Sequence, residues 1–106
     1  MDANAERIVQ LNQILAQNPS DAFARYALAM AYFSDGRDEN ALGEFTLLIE
    51  HNPDYVPAYQ MSAQTFARLG RNAEARERIK HGIAAANRTR NQHAAAEMEA
   101  LGEELA

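Results

Sequence analysis

Cysteine is absent from the 106 residues, which excludes disulfides and any thiolate metal site. No apolar run is long enough to cross a bilayer, and the polar start Met1-Asp2-Ala3-Asn4-Ala5-Glu6-Arg7 predicts no signal peptide. A cytoplasmic protein with no membrane contact is the expectation. A basic excess is also missing: the net charge is −5, which argues against a nucleic-acid partner. Strand signals are scarce, with no sustained alternation and few β-branched residues. The five glycines are dispersed, so there is no phosphate cradle. His51, His81 and His93 lack metal-ligand spacing, and no serine is placed with a base. These absences predict a protein that is not an enzyme and carries no metal and no cofactor.

What is present is helical periodicity. Apolar content of 47% suffices for one modest core, and the length suits one domain. Ala5, Ile8, Leu11 and Leu15 form one stripe, predicting a helix over 3–17 that Asn18-Pro19 ends. Ser20 or Asp21 is the expected cap of a second helix ending at Ser34. That helix carries two apolar stripes, Phe23, Tyr26, Met30 and Phe33 on one and Ala24, Leu28, Ala31 and Tyr32 on the other. Helices are also expected from Asp38 to His51, Tyr55 to Leu69, Ala73 to Ala86, and 91–105. Asp38, Asp54 and Asn72 are the expected caps, with Gly36 and Gly70 closing the preceding helices.

The turn Gly36-Arg37-Asp38 returns 34 residues later as Gly70-Arg71-Asn72. Laying 22–55 on 56–89 without a gap gives six identities: Ala24/Ala58, Ala29/Ala63, Gly36/Gly70, Arg37/Arg71, Ala41/Ala75 and Ile49/Ile83. They fall at close helix crossings, at the turn glycine and on the core edge of the second helix. A helix–turn–helix period of this length resembles the tetratricopeptide repeat. Its pattern is met at Leu28-Ala29, Tyr32, Gly36, Ala41, Phe45 and Pro53, and again at Tyr59, Ala63, Phe66, Gly70, Ala75 and Ile79. Arg25, Ser62, Gly82 and Asn87 depart from it.

The resemblance implies an all-α superhelix: two repeats, 22–55 and 56–89, flanked by an N-terminal helix and a C-terminal capping helix. It also implies a scaffold for protein–protein contact, like the short stand-alone bacterial members. The first helix of each unit would line a concave face. Carried over position by position, the partner-binding candidates are Phe23, Tyr26, Met30 and Phe33 from the first unit, and Gln60, Gln64 and Arg68 from the second. Such a face suits a peptide or protein segment with large apolar anchors. The carboxylate clamp of chaperone-binding members is not met, because Tyr26, Met30, Gln60 and Gln64 stand where it needs cations and amides.

Two other readings stay open. The aromatic stripe is core, or it is buried in a homodimer. Charge is uneven: residues 1–55 hold three cations against nine carboxylates, and 56–106 hold seven against six. Within the basic run from Arg68 to Arg90, Glu74–Arg78 and Glu77–Lys80 are expected to pair along their helix. Arg25 is expected to snorkel toward an acid such as Asp21 or Glu50.

Overall fold

The computed structural model describes residues 2–106. They form six helices: α1 Ala3–Gln17, α2 Ala22–Ser34, α3 Asp38–His51, α4 Val56–Arg68, α5 Asn72–Arg88 and α6 Gln92–Glu104. Each helix packs on the next in sequence, and α4 also touches α6. The result is two layers, with α2, α4 and α6 side by side in one and α1, α3 and α5 in the other. No strand occurs among the described residues.

One core is shared by α1, α2 and α3, around Ile8, Leu11, Leu28, Ala29, Ala41 and Phe45. The other is shared by α4, α5 and α6, around Tyr59, Ala63, Ala75, Ile79, Ala85 and Met98. Neither hairpin closes its core alone; α1 and α6 supply a wall each. The small residues repeated between the units, Ala29, Ala41, Ala63 and Ala75, are fully buried where helices cross. At Gly82 the approach is closer still. A Cβ there would stand 2.6 Å from the Tyr59 Cβ and 2.5 Å from the Met98 sulfur. The departure from the family's alanine at that position is thereby explained.

The corners after α2, α4 and α5 share one design. Gly36 and Gly70 take φ of 74° and 77°, and the next amides, Arg37 and Arg71, donate back to Tyr32 and Phe66 oxygens at 2.9 Å. Glycine suits this left-handed closure because it has no Cβ to clash. The end of α5 closes the same way with Arg90 at φ 58°, and Asn91 N–H donates to Ala86 O at 2.8 Å. Asn18 and Asn52 are extended, as a following proline requires, and end α1 and α3.

Asp21 caps α2 as expected, accepting from Ala24 N–H at 3.0 Å. Asp2 and Asn91 do the same for α1 and α6. Asp38, Asp54 and Asn72 are not caps. The positions before α3, α4 and α5 are Arg37, Tyr55 and Arg71, none with a side-chain capping bond. The glycine corner leaves one residue before the helix, so Asp38 and Asn72 fall inside its first turn. Helix α5 also runs two residues beyond the expected end, into the polar segment after Ala86.

Candidate partner-binding face

The layer of α2, α4 and α6 is cross-linked by side chains. Arg68 on α4 reaches α2: its guanidinium lies 3.7 Å from the centre of the Phe33 ring, and Nη2 donates to Phe33 O at 2.7 Å. The same group binds Asp38, with Nε donating to the two carboxylate oxygens at 3.1 and 3.0 Å. The hydrogen bond from Arg68 holds the Asp38 carboxyl below its usual range, against a smaller opposing effect of burial. Gln60 on α4 reaches α6, its Nε2 donating to Glu97 Oε2 at 3.2 Å. Glu97 also pairs with His93 one turn earlier.

The aromatic stripe of α2 divides along its length. Phe23 is 77% exposed. Tyr26 is half-buried, its ring 6.0 Å from that of Phe45 and 5.5 Å from that of Tyr55. Burial, and then the neighbouring Tyr55, push its hydroxyl pKa up. Met30 and Phe33 are half-buried against the first core. Gln64 is half-buried on α4. The structure thus joins Phe33 to Arg68 directly and sets Gln60 beside Glu97, while Tyr26 turns partly inward.

Asp38 and Glu97 escape a reading by helical spacing. Each meets its partner on another helix, across 30 and 37 residues of sequence. Arg25 pairs with neither expected acid: it meets Glu44 on α3 at 2.6 Å and donates to Pro19 O. The expected pairs along α5 are corrected too. Glu74 is held by Arg71 at 2.7 Å, leaving Arg78 without it, and Glu77 and Lys80 form no ion pair among the described residues. No His, Asp or Glu grouping suited to a metal occurs among the described residues. No described helix is long and apolar enough to cross a membrane.

The tetratricopeptide repeat family matches residues 2–77. The chain belongs to the tetratricopeptide repeat family. A tetratricopeptide repeat domain protein from Salinibacter ruber is 31% identical, with a TM-score of 0.78 over 83% of this chain and 89% of its own. The TPR2B domain of yeast Sti1, solved as a complex with pHsp70, is 20% identical with a TM-score of 0.86, over 92% of this chain and 78% of its own. PcrH, solved with the chaperone binding region of PopD, is 19% identical with a TM-score of 0.84, covering 90% and 72%. These last two share the fold. No curated relative matches the sequence. Tetratricopeptide repeats are protein-interaction modules, and that general role is the one the family supports here.

Proposed function

We propose that this tetratricopeptide protein binds a peptide or protein segment on the face lined by α2 and α4. The observation that carries the reading is Phe23. A phenyl ring 77% exposed among the described residues, beside half-buried Tyr26, Met30 and Phe33, is an anchor surface left open at its Phe23 end. Gln60 and Gln64, one turn apart on α4, add amides able to bond an extended backbone. Arg68 is occupied by Asp38 and Phe33, so its role there is to hold the Phe33 ring in place rather than to attract an acid.

Peptides selected from a displayed random library against the protein test this. Binders should carry a large apolar residue. They should weaken about tenfold or more, the worth of one buried anchor, in Phe23→Glu or Met30→Glu. Unchanged affinity in both variants, with unchanged melting, would remove the assignment.

The exposure of Phe23 also favours a second reading, a homodimer that consumes the stripe. Light scattering separates the two. A monomer leaves the face open, whereas a dimer broken by Tyr26→Glu or Met30→Glu places a second copy there.

A further inference from the structure

A cleft lies in the other layer, between α3 and α5, with a volume of about 620 Å³. It adjoins another of about 510 Å³, sharing Thr46, Glu50 and Phe66. Volumes of this order suit small ligands. Its apolar floor is Ile49, Phe66 and Ala73; its polar lining is half-buried Arg78 with Thr46, exposed His81, and the exposed carboxylates Glu50, Glu77 and Glu74, the last already held by Arg71 at 2.7 Å.

Arg78 is the informative residue. It and Arg25 are the half-buried arginines of the described chain. Arg25 has its counter-ion in Glu44. In the 34-residue register Arg78 occupies the place of Glu44, and Tyr59 the place of Arg25. The second unit thus has a cation where the first has its acid, and a phenol where the first has its cation: the Tyr59 hydroxyl donates to Pro53 O at 2.6 Å. Arg78 has no carboxylate within 4.0 Å among the described residues, and its polar contact is Thr46 Oγ1 at 3.4 Å. Its face lies 5.5 Å from the Phe66 ring centre. Burial pushes its guanidinium pKa down, outweighing the opposing attraction of Tyr59, Glu50 and Glu74, none of which is in ion-pair contact. A guanidinium offers five donors in a fork suited to a carboxylate. Glu50 and Glu77 form no ion pair either among the described residues, so the edge asks for a cation.

We propose that the α3–α5 cleft is a second binding site, for a small zwitterion with an apolar body: an amino acid or short peptide. Its carboxylate meets Arg78, its ammonium meets Glu50 and Glu77, and its side chain lies on Phe66, Ile49 and Ala73.

Three probes of one shape test it by amide chemical-shift titration: phenylalanine, 3-phenylpropanoate and 2-phenylethylamine. Phenylalanine should give saturable shifts at Thr46, Ala73 and Arg78. It should bind about tenfold tighter than either singly charged probe, the worth of one charge-assisted pair. Arg78→Gln should reduce phenylalanine to the level of phenylethylamine, and Arg78→Lys, which keeps charge without the fork, should retain part. Phe23→Glu, on the opposite layer, should leave these cleft shifts as they are. Equal binding of the three probes, no saturable shift in the cleft, or wild-type binding by Arg78→Gln would overturn the proposal.

Discussion

The Arg68 guanidinium is clasped between the Phe33 ring and the Asp38 carboxylate, tying the first helix of one repeat to both helices of the other. The Asp38 side chain is 11% exposed and that of Arg68 41%, so the pair is shielded on one side only. Arg68→Ala should cost about 1–2 kcal/mol, through the lost cation–π contact and the stranded carboxylate. Thermal melting measures it.

The same pair has a pH signature. The folded-state pKa of Asp38 is depressed, so its contribution is fully present above the unfolded value, near about 4. It is lost as pH falls through the folded value. The stability gap between wild type and Asp38→Asn should therefore be constant near neutrality and close in acid. A gap unchanged down to the acid-unfolding region would exclude the linkage.

Gly82 and Gly43 should respond oppositely to alanine. A Cβ at Gly82 meets the Tyr59 Cβ and the Met98 sulfur, and of the two only the methionine sulfur sits on a flexible side chain. Forcing α4 and α5 apart should cost about 1–3 kcal/mol, more than the helix-propensity gain of about 1 kcal/mol. A Cβ at Gly43 meets nothing within 4 Å on the exposed side of α3. There the propensity gain stands alone, and Gly43→Ala should stabilise by about 0.5–1 kcal/mol. Denaturant midpoints of the two variants should move in opposite directions.

Ser62 is fully buried, and its hydroxyl has no hydrogen-bond partner among the described residues, whereas Thr65 on the same helix donates to Met61 O at 2.7 Å. Ser62→Ala removes an unsatisfied group without altering the backbone. Stability should be unchanged or rise by up to about 1 kcal/mol. A loss beyond about 1 kcal/mol would mean the hydroxyl is bonded.

Arg90 takes the left-handed conformation that Gly36 and Gly70 take at the other corners. Arg90→Gly should relieve about 1 kcal/mol of strain, and Gly36→Ala or Gly70→Ala should introduce about as much. Melting temperatures of the three variants should fall into two groups around the wild type.

The helices and their order were legible because apolar spacing, Asn-Pro stops and corner glycines are local signals. The caps of α3 and α5 were misplaced by one position for a local reason as well. Polar residues after a glycine corner look like caps, yet Asp38 answers to Arg68, thirty residues on. Arg25 shows the wider difficulty. Helical spacing ranks Asp21 beside it, but the hairpin brings Glu44 closer. The proposed face was carried over to α2 and α4 from the family resemblance, position by position. Its α6 edge was not legible, because Glu97 reaches Gln60 only through the packing of α6 on α4.

The exchange of Arg25–Glu44 for Tyr59–Arg78 makes the two units unequal as building blocks. Tandem copies of the first would each carry their own neutral pair. Residues 22–55 hold two cations against six carboxylates and residues 56–89 six against two, so copies of either unit alone would accumulate four like charges each, and a designer extending this array should alternate the two.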